Sequence, residues 1–107
     1  MHFSPIPWKV LASNVGVGVL TDGWTLDVPD PAADSREFIV DIVFASAFAV
    51  APVVQLGLTG FDIDQRDTSR ITLKAESITA SGFQAVIATW AATRVYAVEF
   101  NWLAIGP

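Results

Sequence analysis

The sequence contains no cysteine and a single histidine. Without cysteine there is no disulfide, no thiolate metal site and no cysteine nucleophile. The lone histidine, His2, stands at a chain terminus, where side chains are least firmly held. A Ser–His pair or a histidine-bound metal inside the fold therefore has no histidine to use. Basic residues are scarce: six Lys and Arg stand against eleven Asp and Glu, a formal net charge of −5. Nucleic-acid phosphates demand clustered cations, so nucleic acid is not an expected partner. Long hydrophobic runs are missing too. The apolar stretches are broken by Asp41, Gln55 and Glu99, far short of the roughly 20 residues of a membrane helix. No classical secretion signal is visible, because a single Lys9 precedes the short "VGVGVL" and no basic region leads it. "GVGVLTDG" is not a phosphate-cradling GxGxxG, and no βαβ unit surrounds it.

What is present is apolar. Of 107 residues, 52% are hydrophobic. That length makes one domain with one core. A domain so small has too much surface for its volume to hide that fraction alone. The expectation is an oligomer whose copies cover one another.

The pattern along the chain is that of strands. The first third is rich in Pro, Gly and Asp; "SPIP" and "PDP" fit neither a helix nor a central strand. It reads as an arm, one early strand at "VGVGVL" and a long loop ending near Ser35. In "EFIVDIVF", Phe38, Val40, Ile42 and Phe44 alternate with Glu37, Ile39, Asp41 and Val43, the period of two of a strand. Val54, Leu56 and Leu58 share one face of "PVVQLGLTGF". In "RITLKAESI", Ile71, Leu73 and Ala75 point in, while Arg70, Thr72, Lys74 and Glu76 point out. Phe83, Ala85 and Ile87 share a face of "GFQAVIATW". The last strand sets Tyr96, Val98, Phe100 and Trp102 against Val95, Ala97 and Leu103. "FASAFAV" runs into Pro52 and reads as a connection. Five or six short strands without a long amphipathic helix predict an all-β sandwich.

Few residues offer chemistry. Asp62, Asp64 and Asp67 crowd one loop, but "DIDQRD" lacks the glycine and the downstream bidentate Glu of a calcium loop. A solvated turn is the simpler reading, and no metal or cofactor is expected. A carboxylate pair acting on a glycosidic bond would need an acid and a base flanking one cleft, which the pattern does not supply. The remaining group is Arg70, Trp90, Tyr96 and an acidic residue from the loop before Glu37. An arginine on a solvated face and a tryptophan at a rim are ordinary. Together they also suit a sugar, whose C–H face stacks on an aromatic ring and whose hydroxyls pair with Arg and Asp.

The pieces "REFIVDIVFASAF", "APVVQLGLTGFDIDQ", "SRITLKAESITASGF" and "TWAATRVYAVEFNWLAI" follow one another without a gap from Arg36 to about Ile105. In order and spacing they resemble the H-type lectin domain of snail agglutinins and of the C-terminal part of slime-mould discoidins. The resemblance implies a six-stranded antiparallel β-sandwich that assembles as a trimer, in some members as stacked trimers. It implies shallow sites between protomers for glycans ending in galactose or N-acetylgalactosamine. By position, Arg70 matches the arginine that binds sugar hydroxyls, Trp90 the aromatic that packs on the sugar, and Tyr96 the tyrosine shortly after it. The acidic ligand falls in "PDPAADSRE", where Asp34 is chosen and Asp30 held in reserve. One departure stands out: the N-acetylgalactosamine-binding agglutinin has a histidine after "TW", and this chain has Ala91.

The expectation is thus a non-enzymatic carbohydrate-binding oligomer, a trimer or a hexamer, acting outside the cell or at a surface. Residues 1–30 are assigned to the arm, first strand and loop, and residues 31–107 to the lectin-like sandwich of a single domain. The alternative is a structural trimerisation module, such as part of a fibre, with a degenerate sugar site.

Overall fold

The computed structural model describes residues 8–107. The first seven residues of the expected arm, "MHFSPIP", lie outside the described residues. Six strands follow in order: β1 (Lys9–Gly18), β2 (Ser35–Val43), β3 (Val53–Ile63), β4 (Thr72–Glu76), β5 (Gly82–Trp90) and β6 (Val95–Gly106). They form two three-stranded antiparallel sheets, β1-β6-β3 and β2-β5-β4. No helix occurs among the described residues, and "FASAFAV" is a connection as its proline predicts.

The expected alternation holds in most strands. Phe38, Val40 and Ile42 of β2 and Leu73 and Ala75 of β4 pack against the core. Phe83, Ala85 and Ile87 of β5 face Val98, Phe100, Trp102 and Ala104 of β6, the two central strands. Central strands bury both faces more than edges do, which is why the β5–β6 segment carries so little charge. Burying Phe100 completely contributes about 2–3 kcal/mol. At one end, Phe44 lies 5.1 Å from Phe48, 5.8 Å from Phe83 and 5.7 Å from Trp102, ring centre to ring centre.

Three local readings change. β1 is not a short strand but ten residues long, paired with β6 from Lys9↔Gly106 to Gly18↔Ala97. Gly18 serves a close contact: a Cβ there would stand 2.5 Å from the Tyr96 carbonyl. In β3 the register slips between Leu58 and Gly60, and Leu58 lies 41% exposed instead of joining Val54 and Leu56 in the core. A second slip, between Asp62 and Ile63, pairs Ile63 with Val95. Val95, which strict alternation sets outside, is fully buried. The loop over residues 19–34 closes on it: the Val95 amide donates to the Leu26 carbonyl at 2.8 Å. The Trp24 indole N–H donates to the Val95 carbonyl at 2.9 Å.

That loop is fastened from beneath by Arg36. It shares the inward face of β2 with Phe38 and is 8% exposed. Its guanidinium donates to the Leu26 carbonyl at 3.0 Å, to Thr93 at 2.6 Å and to Ala91 at 3.2 Å. Burial pushes its pKa below the usual arginine value; Asp30 and Asp27 oppose that shift, and Arg94 adds to it. Arg36→Met keeps the length and removes the donors, leaving these three carbonyls without them. The expected loss is about 3 kcal/mol, read from chemical denaturation midpoints at unchanged slope.

Candidate functional site

Trp90 ends β5 and pairs with Ser35, the first residue of β2. The residue before Ser35 is Asp34, so strand register alone carries this carboxylate beside Trp90. Pro29, Asp30 and Pro31 form the opposite wall. The prolines restrict the backbone, and Asp30 Oδ1 accepts the Ala32 amide at 2.9 Å, a side-chain-closed turn. The result is a shallow, open cleft of about 520 Å³ with Asp30, Asp34, Trp90 and Ala91 on its walls. Trp90 is 39% exposed, so part of its ring is open to stack on a ligand. Ala91 adopts a left-handed conformation, φ 56°, which costs an alanine about 1 kcal/mol. Its carbonyl is one of those held by Arg36. The tie to Arg36 thus holds the turn on which Trp90 stands.

The other two expected site residues do not line this cleft. Arg70 precedes β4, and its guanidinium donates to the Thr93 hydroxyl at 3.0 Å. Thr93 is fully buried and donates in turn to the Thr68 carbonyl at 2.6 Å. Thr89 Oγ1 donates to the Arg70 carbonyl. Arg70 therefore braces the far side of the same β5–β6 turn. Tyr96 belongs to a separate cluster. Its hydroxyl donates to Asp64 Oδ2 at 2.9 Å. Arg66 grips the same carboxylate with Nε at 2.9 Å and Nη2 at 2.7 Å. Hydrogen bonds from Arg66 above all, and then from Tyr96, hold the Asp64 carboxyl well below the usual carboxylate range. Asp64 in turn raises the pKa of both Arg66 and Tyr96. Among the described residues no group of three or more acidic or histidine side chains is arranged to hold a metal.

Arg36, Thr93 and Arg66 escaped the sequence reading. Arg36 had a signal, a charged residue in phase with the core positions of β2. Thr93 had none, because its partners come from a loop 25 residues away. Arg66 sits two residues after Asp64, a spacing at which a carboxylate closes a turn on itself.

The family model of the H-type lectin domain matches residues 39–105. The chain belongs to the H-type lectin family. It is 30% identical over 105 residues, 96% of its length, to a discoidin-1 polypeptide of Dictyostelium discoideum, and covers 40% of that protein. It is 44% identical over 71 residues to the "ATP synthase subunits region ORF 7" protein of Fuscovulum blasticum, covering 66% of this chain and 62% of that one. The chain thus spans from two-fifths to about three-fifths of the length of these relatives. Among solved structures, wild-type discoidin II of Dictyostelium discoideum shares the fold with a TM-score of 0.80 at 24% identity, over 94% of this chain and 37% of that one. In this H-type lectin chain, then, the sandwich and the family match what the sequence motifs implied.

The Asp64 cluster carries a pH signature. A carboxylate whose folded pKa is depressed stabilises the fold fully above its unfolded value, about 3.9, and less as pH falls through the folded value. Tyr96→Phe removes one donor, so the Asp64 carboxyl is expected to titrate at higher pH, nearer the ordinary range. NMR titration of its side-chain carbon in both proteins measures this. An unchanged midpoint would mean the hydroxyl does not hold the carboxylate.

Proposed function

We propose that this chain is a non-enzymatic lectin. It binds glycans that end in galactose or N-acetylgalactosamine, at sites completed between copies of a trimer or of stacked trimers. The observation that carries this reading is the pairing of an exposed Trp90 ring with the carboxylates of Asp30 and Asp34 in one open cleft. A sugar offers both complements, a C–H face for the ring and hydroxyl donors for the carboxylates. The cleft lacks a cation within one chain, since Arg70 is turned to Thr93. That supports a site to which a neighbouring copy adds polar groups, with Arg70 and Tyr96 contributing at the seam. The exposed apolar residues Val10 and Val53, which face Ile105 from either side on the β1-β6-β3 sheet, fit coverage by another copy.

Ala91 in place of a histidine leaves nothing there to reach an acetamido group, so plain galactose should bind about as well as its N-acetyl derivative. A site this shallow binds weakly, on the order of millimolar to tens of micromolar, because much of the ligand stays wet. Several sites on one rigid body then give avidity on a glycan-coated surface. The net charge of −5 disfavours sulfated glycans.

A glycan array with the untagged protein, its mass checked by ultracentrifugation, tests the reading. The expected result is an oligomer that selects terminal galactose and N-acetylgalactosamine, and a Trp90→Ala variant that assembles but loses at least tenfold in binding. A blank array from an assembled oligomer would favour a structural trimerisation module. Equal binding by Trp90→Ala would remove this cleft from the site.

A further inference from the structure

The segment over residues 29–31 is a rib with a cleft on either side. One side is the Trp90 cleft. The other is a second hollow of about 510 Å³, walled by Trp24, Thr25, Val28 and Arg36, that shares Pro29, Asp30 and Pro31 with the first. Both hollows are nearly the same size, and the same three residues line both. The second wall is built for contact with a ring. Val28 is 61% exposed although apolar. Trp24 is only partly buried and its indole N–H is already bonded to Val95, so what it offers outward is hydrocarbon. Its ring is propped by Phe38, centre to centre 5.0 Å. Thr25 adds an exposed hydroxyl. On the rib, Asp30 spends one carboxylate oxygen on the Ala32 amide, leaving the other to accept from a ligand. Arg36 supports both hollows from below by holding the Leu26 and Ala91 carbonyls.

From this continuity we infer that the second hollow is a subsite for the next sugar of the same glycan. The true ligand is then at least a disaccharide. Its terminal residue stacks on Trp90, its glycosidic linkage crosses Pro29–Pro31, and its penultimate ring lays an apolar face on Val28 and the edge of Trp24. Thr25 and Asp30 take hydroxyls of that second ring. Selectivity for linkage follows, because the rib fixes the direction in which the second ring must leave the first. The inference rests on the lectin reading of the Trp90 cleft and adds to it what the chain outside that cleft does.

Calorimetric titration of the intact protein with methyl galactoside and with a set of galactose-terminated disaccharides differing in linkage tests it. At least one disaccharide is expected to bind about tenfold tighter than the monosaccharide, the effect of roughly 50 Å² of apolar surface leaving water. Val28→Asp is expected to erase that gain while leaving methyl galactoside binding unchanged, which also reports that the variant is folded. If every disaccharide binds no better than methyl galactoside, or if Val28→Asp keeps the gain, the subsite is refuted and the lectin reading stands. If neither sugar form binds at all, both readings fall.

Discussion

Three backbone carbonyls at one end of the sandwich converge on a single buried guanidinium, that of Arg36. Their peptide groups belong to the long loop after β1 and to the turn that carries the chain from one sheet to the other. Of the three, the Leu26 carbonyl also accepts the Val95 amide; a carbonyl lost to the interior without a donor is expensive. A planar group with several fixed donors is the one side chain able to meet all three from a single position. The charge this places in the interior is tolerated because both terminal nitrogens have carbonyl acceptors. Together with the bonds of Leu26 and Trp24 to Val95, that arrangement keeps the loop where its prolines can wall a cleft and gives Trp90 a fixed platform.

Support of this kind explains why the ends of the sheets, not their middles, hold the candidate chemistry. The middles are settled by alternation and apolar contact. The end is settled by directed bonds: Trp24 to Val95, Arg70 to Thr93, Thr93 to Thr68. Directed bonds hold side chains at fixed angles, which a site for hydroxyl groups requires, and they leave the outer rim free to be polar.

The same contrast separates what could be read from the sequence from what could not. The strands β2 and β4 were legible because one face meets the core and the other does not, so their residues alternate; β5 was legible from Phe83, Ala85 and Ile87, although Val86 on its other face is buried too. β1 was half-hidden, since its glycines read as weakness when at Gly18 the gap they leave is filled by a neighbouring backbone. Val95 was misplaced because a strand's period says nothing of a loop folding over its end. Trp90 and an acidic residue of the loop before Glu37 were grouped for their chemistry, and the resemblance chose Asp34; that they share a wall follows from the pair Ser35↔Trp90, a long-range register no local pattern states. Tyr96 was nominated with them, and within one chain its hydroxyl is bonded to Asp64, a partner from a distant loop that no local pattern states.

Sheet order has a consequence for how the chain is made. β1 has one neighbour, and that neighbour is β6. Their pairing begins at Lys9↔Gly106 and joins the first and last strands of the sandwich. On a ribosome, which releases the chain from its N-terminus, β1 waits for the last strand of this sandwich before it has its partner to bond. Closing so long a loop is slow, and an unpaired edge invites other chains meanwhile. The three glycine and serine interruptions of β1, Ser13, Gly16 and Gly18, keep that waiting strand a poor template for strangers.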